Sequence, residues 1–180
     1  MKPMFCWLAA LSLLFTGLSA RAQEHANPNA NPKARAVLSY LQRLNGQPEK
    51  RLVSGQFVGF GRGTSLRLMD QIHERTGHWP ALMGTDYADF PKGRVTCKTP
   101  NEAAVRYWKA GGLVTISTHL YNPANPKGGG LRDKGVDLKT LLVPGTDTHT
   151  RWMQELDLIA AGLQELKSAG TPVSGLKQRM

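Results

Sequence analysis

Apolar residues recur along this chain at helical spacing in some stretches and in short β-branched runs in others. Val37, Leu38, Leu41 and Leu44 lie on one side of a helix over residues 34–44, and Asn45-Gly46 supplies its stop. Ser65 to Thr76 reads the same way, with Leu68, Met69 and Ile72 on one side and Gly77 as the stop. Thr99-Pro100-Asn101-Glu102 predicts a helix start: Thr99 as cap, Pro100 at the first helical position and Glu102 completing a capping box. That helix is expected to reach Ala110 and end at Gly111. Trp152, Leu156, Ile159, Leu163 and Leu166 step by four, three, four and three, an amphipathic stripe closed by Gly170 and Pro172. Between these helices Arg51–Gln56, Pro80–Asp86 and Leu113–Thr118 predict short strands, and Pro172-Val173 begins another.

The order is therefore a helix followed by alternating strands and helices, which predicts an α/β fold with a parallel sheet. The links from helix to strand are short, around Gly77–Trp79, Gly111-Gly112 and Gly170-Thr171. Those from strand to helix are long: Phe57 to Thr64, Tyr87 to Lys98, and His119 to about Asp147. All long loops thus fall at the C-terminal ends of strands, the face on which α/β proteins bind ligands.

The first 22 residues stand outside this pattern. Lys2 precedes an uncharged apolar run from Phe5 to Leu18, and Ala20-Arg21-Ala22 has the form of a cleavage site. They read as a signal peptide that leaves Gln23 as the new N-terminus and a secreted or periplasmic product with no membrane partner after cleavage. Residues 23–33, rich in Asn-Pro and Ala-Asn, read as a linker. Of two cysteines, Cys6 leaves with the signal peptide and Cys97 remains, so no internal disulfide is expected.

Composition narrows the chemistry. The chain is 180 residues long, 41% hydrophobic and 20% charged, which is globular. Its net charge of +10 comes from scattered Lys and Arg without a basic run or recognition motif, so a solvated surface is expected and not a nucleic-acid partner. Gly59-Phe60-Gly61-Arg62-Gly63 sits where a dinucleotide fingerprint would, but Thr64 stands where the third glycine belongs; a glycine-rich turn is the simpler reading and no cofactor is expected. His73 and His78 straddle Gly77 and share no helical face, so no metal site is expected. Cys97 and His119 are not brought together by anything in the sequence. Among carboxylates, only Asp86 and Asp89 fall at or just beyond a strand end, and Asp86 suits an orienting role better than an acid's. Glu155 and Asp157 read as surface charges on the last helix. His119 ends the third strand on the ligand face, with Tyr121 and Asn122 close behind, which marks it as a site residue.

Four blocks in order then resemble the first part of glycoside hydrolase family 26: RLVSGQ at Arg51–Gln56, HWPALMGTDYADF at His78–Phe90, YWKAGGLVTISTHLYNP at Tyr107–Pro123, and LDLIAAGLQELKSAGTPV at Leu156–Val173. The resemblance implies the N-terminal portion of a (β/α)8 TIM barrel over residues 34–173. It implies an endo-β-1,4-mannanase-like activity on mannan-type polysaccharide, by a retaining mechanism with two glutamates. It places His119, Asp86, Tyr87 and Asn122 as substrate-binding residues. Thr118 stands where the family often has a Trp.

The family's acid/base glutamate follows strand four and its nucleophile lies on strand seven. After Val173 this chain reads Ser174-Gly175-Leu176-Lys177-Gln178-Arg179-Met180, a divergent tail with neither. The expectation is a barrel truncated near strand four, through a reading-frame change or an incomplete gene model, with no catalytic residue of its own and no hydrolysis. A non-catalytic polysaccharide-binding α/β module is the alternative, and a small-molecule site at the Gly59–Gly63 loop a weaker third.

Overall fold

The computed structural model describes residues 27–172, apart from 46, 50, 51, 90–93, 126, 128–132 and 134. The signal peptide, the start of the linker, Val173 and the tail at 174–180 lie outside the described residues.

Asn27–Ala30 forms a turn closed by Ala30 N–H on the Asn27 carbonyl, and Ala30 is buried. Helix α1 (Pro32–Leu44) follows directly. Asn31 caps it by accepting from the Ala34 N–H, and a proline occupies its first turn. Helix α1 therefore takes in Pro32 and Lys33, and Arg35 ties it to the turn by donating to the Ala30 and Pro28 carbonyls.

The first strand, β1 (Gly55–Phe60), starts and ends four residues later than the stretch that the sequence suggested and shares only Gly55 and Gln56 with it. Its hydrophobic content explains the shift: Phe57, Val58 and Phe60 suit a pleated surface, and Val58 enters the core. A 3-10 turn, Gly61–Gly63, leads to α2 (Arg67–Thr76), which ends at Gly77 in the left-handed conformation, as the sequence implied. Strand β2 (Leu82–Asp86) follows. The loop after it carries two short strands, β3 (Ala88–Asp89) and β4 (Arg94–Val95), paired antiparallel. Helix α3 (Lys98–Lys109) has Cys97 at its N-cap and no side-chain capping bond. The expected capping box is thus not formed: Thr99 and Pro100 lie inside the first turn. Strand β5 (Leu113–Ser117), a short helix α4 (Leu138–Leu142) in the long loop, and α5 (Asp147–Ser168), capped by Thr146, complete the order.

Strands β1, β2 and β5 form one parallel sheet in that order. Alternation divides it. Val58, Met83, Val114 and Ile116 face the helices and pack with Met69 of α2, Ala104 and Tyr107 of α3, and Leu163 and Leu166 of α5. The opposite face carries Phe57 against Gly84 and Gly84 against Thr115, and Phe57 remains 41% exposed. One layer of helices thus covers one face of a three-stranded sheet, which is the geometry of successive β/α units.

Candidate functional site

The C-terminal row of the sheet is set by a bulge. Gln56 and Phe57 of β1 pair with Met83 and Gly84, but the next partner pair is Phe60 with Asp86, so β1 spends one extra residue there. Period-two alternation would put Phe57 and Phe60 on opposite faces; the extra residue returns Phe60 to the face of Phe57. Their rings meet edge to face at 4.9 Å. Gly59, at φ 124°, takes the turn, and a Cβ there would lie 2.7 Å from the Gly63 carbonyl oxygen. Asp86 pairs in turn with Ser117 of β5. Phe60, Asp86 and Ser117 therefore lie side by side at the strand ends.

His119 closes this row. Its Nδ1 lies 2.6 Å from Asp86 Oδ2, and the same oxygen accepts from Ser117 Oγ at 2.5 Å. Asp86 Oδ1 accepts the Ala88 N–H at 2.7 Å. Asp86 is fully buried, whereas the His119 side chain is 40% exposed. The Phe60 ring, also 40% exposed, lies 6.2 Å from the imidazole. The exposed surface here is an aromatic face beside an imidazole, and the carboxylate beneath it is inaccessible.

The surrounding loops are braced on one another. Arg62 Nε reaches Asp89 Oδ2 at 2.5 Å, joining the loop after β1 to that after β2. Tyr121, buried in the loop after β5, donates its hydroxyl to the Asp89 carbonyl at 2.8 Å. Glu155 of α5 accepts the Tyr121 N–H at 3.3 Å, and Arg151 Nε donates to the Pro123 carbonyl at 2.6 Å. Burial pushes the Glu155 carboxyl above its ordinary range, against the opposing pull of the Tyr121 N–H and Arg94. Glu155 is thus a half-buried brace and not the surface charge that its helical position suggested, whereas Asp157 is exposed.

Of the four residues that the sequence singled out, the structure brings Asp86 and His119 into contact. Asn122 follows in a turn, its Oδ1 accepting from the Ala124 N–H at 2.9 Å. Tyr87 goes elsewhere. It is 1% exposed and packs with Val95, Ile159 and Cys97, and its hydroxyl donates to Asn101 Oδ1 at 2.7 Å. Asn101 Nδ2 in turn donates to the Gly162 carbonyl and to Glu165. Burial raises the Tyr87 phenol well above its ordinary value; the nearby Cys97 and Glu165 add to the rise, and the Asn101 bond opposes it. The reason is alternation: Asp86 turns inward at the end of β2, so its neighbour turns to the helices. Two members of the row escaped sequence reasoning. Ser117 was hidden in a β-branched strand, and Phe60 needed the bulge at Gly59 to reach this face.

A cavity of about 860 Å³ lies near the opposite ends of the strands, lined in part by Tyr40, Trp79, Tyr107 and Leu113. It stands apart from the row described above. Among the described residues no group of three or more His, Cys, Asp or Glu could hold a metal ion, and no helix is long and apolar enough to cross a membrane.

Comparison with known proteins gives one answer. The family model for glycosyl hydrolase family 26 matches residues 26–175. A mannan endo-1,4-beta-mannosidase of Bacillus subtilis strain 168 is 34% identical over 183 aligned residues, which take in 94% of this chain and 49% of that protein. The structure of Bacillus subtilis mannanase man26 superposes with a TM-score of 0.72 at 34% identity, covering 82% of this chain and 46% of that one. A Podospora anserina β-(1,4)-mannanase gives 0.65 at 30% identity, with 82% and 34% covered. The chain spans about half the length of the Bacillus subtilis relative. The three parallel strands among the described residues, with their helices, are those of the N-terminal part of a (β/α)8 barrel.

Proposed function

The chain belongs to glycosyl hydrolase family 26, and from that premise we propose that it is the first part of an exported endo-β-1,4-mannanase. In this reading the described residues supply scaffold and one wall of a mannan cleft. The glutamates of the retaining reaction come from strands four and seven of a complete barrel, where one protonates the leaving oxygen and the other attacks the anomeric carbon from about 5 Å across the bond. The observation that carries the reading is the row of Phe60, Asp86 and Ser117 with His119 above it, at the C-terminal ends of parallel strands. An aromatic face beside a polar imidazole suits a pyranose, which presents C–H groups on its faces and hydroxyls around its rim.

His119 is proposed as a direct sugar contact, and Asn122 as part of the adjoining wall. Asp86, buried, acts from behind His119, and Tyr87 holds the wall to the helices. Export is proposed from the first 22 residues, with cleavage after Ala22; the intact mass of the product recovered outside the cytoplasm would test it.

The functional test has two halves. The 180-residue polypeptide is expected to bind mannohexaose without hydrolysing mannan. Sequencing the gene past the codon for Met180, in all frames, is expected to reveal further barrel strands with a glutamate after the fourth. Mannan hydrolysis by the 180 residues alone would refute the assignment of the glutamates. Mannohexaose binding with no barrel-like sequence in any frame would favour a non-catalytic polysaccharide-binding module.

A further inference from the structure

We propose that Asp86 and Ser117 are positioning residues that fix the proton of His119 on Nδ1, so that Nε2 is the atom offered to a mannosyl hydroxyl. The choice of ligand rests on the mannanase reading above; the positioning rests on geometry alone. Asp86 cannot serve the substrate itself, because it is wholly buried and both its oxygens are engaged. A carboxylate has only acceptor sites. Each neighbour within bonding distance must therefore bring a hydrogen: the Ala88 N–H, the Ser117 O–H and the imidazole Nδ1.

The last requirement decides the tautomer. A bare Nδ1 would set two lone pairs against each other at 2.6 Å. The proton thus stays on the Asp86 side of the ring in either charge state, and a neutral His119 presents a lone pair at Nε2. No described residue bonds to Nε2, and the imidazole is 40% exposed. Ser117 adds a second constraint. Its hydroxyl bonds the same oxygen as the imidazole, so it fixes where that oxygen sits relative to the ring. The sheet supplies the alignment, since Asp86 and Ser117 are partners in the parallel ladder. The logic is that of a metal-binding histidine whose second nitrogen is held by a carboxylate, applied here to a sugar.

The test is nitrogen NMR of the 180-residue chain with labelled histidine, at a pH where the ring is neutral, with His119→Gln to assign the signal. The expected result is a proton on Nδ1 and a free lone pair at Nε2. A proton on Nε2 in the unsubstituted chain overturns the proposal without any further variant. Asp86→Asn is expected to move the proton to Nε2, because the amide can donate to Nδ1; an unchanged tautomer there is contrary evidence. Ser117→Ala is the milder variant should Asp86→Asn fail to fold. It is expected to keep the tautomer but to weaken mannohexaose binding several-fold, and unchanged binding removes Ser117 from the proposal. Titration with mannohexaose separates the two readings. A correct tautomer whose Nε2 signal responds to the sugar supports both. A correct tautomer with no response upholds the positioning and refutes mannan as the ligand.

Discussion

Replacing Tyr87 with Phe separates a core strut from a sugar contact. The substitution removes one oxygen and leaves the ring packed against Val95 and Ile159. It breaks a single bond, the 2.7 Å donation to Asn101. A net buried hydrogen bond contributes about 1 kcal/mol, so Tyr87→Phe is expected to lower stability by about that amount. For a chain of this size the loss corresponds to a drop of roughly 2–4 °C in Tm. Asn101→Leu is harsher. It leaves the Tyr87 hydroxyl without its amide partner, at about 1–3 kcal/mol for a buried group left unpaired, and also removes the donations to the Gly162 carbonyl and Glu165. The double variant should lose less than the sum, since Phe has no hydroxyl to strand. The expected coupling is about 1 kcal/mol, within the range for residues in one hydrogen-bond network.

The assay is urea unfolding of the four proteins, with mannohexaose affinity measured in parallel on the folded forms. Stability should fall in the order given and affinity should stay level. A Tyr87→Phe protein of unchanged stability and weakened sugar binding would refute the reasoning. It would return Tyr87 to the cleft, where the sequence had placed it.

Three other expectations follow from packing and titration. Gly162→Ala in α5 would put a methyl 2.6 Å from Cys97 Sγ, so overpacking of about 1–3 kcal/mol should outweigh the helix-propensity gain of about 1 kcal/mol; an unchanged or raised thermal midpoint would contradict this. Gly59→Ala should cost about 1–3 kcal/mol, because it forces a side chain into φ 124° and against the Gly63 carbonyl; loss of the Phe60–His119 ring proximity by NMR would show that the bulge had shifted. Burial, reinforced by Glu165, pushes the Cys97 thiol up from 9.0 to about 11, so the unfolded chain releases that proton first as pH rises. The thiol's contribution is therefore complete below about pH 9 and lost between 9 and 11, and Cys97→Ala should flatten that part of the stability profile.

Much of the fold was legible because its signals were local. The stripe from Trp152 to Leu166 became the long helix α5, Gly77 ended α2, and the short and long links put the loops on one side. What was missed depended on partners distant in sequence. The first strand slid toward Phe60 because Val58 has a core to enter, and propensity alone cannot see a core. Thr99 lost its capping role because the N-cap of α3 falls at Cys97, whose side chain is packed against the Gly162 position of α5. The pairing of β3 and β4 joins two-residue segments whose composition carries no strand pattern.

The site divides along the same line, and the division has a physical cause. His119 and Asp86 were singled out because each stands at a strand end, a position that sequence can locate, and the structure sets the two in contact. Tyr87, one residue further, was singled out with them but turns to the helices, because the direction of a side chain depends on register, and one step along a strand reverses it. Ser117 looks like strand filling and Phe60 like part of a glycine-rich turn until the ladder sets each beside Asp86. The bulge at Gly59 is what aligns them. Without the extra residue Phe60 would face the helices, His119 would lose its aromatic neighbour, and the row would be a buried carboxylate with an imidazole above it. A single left-handed glycine thus decides whether this end of the sheet presents an aromatic surface, and Gly59→Ala tests the architecture of the site as much as the stability of the chain.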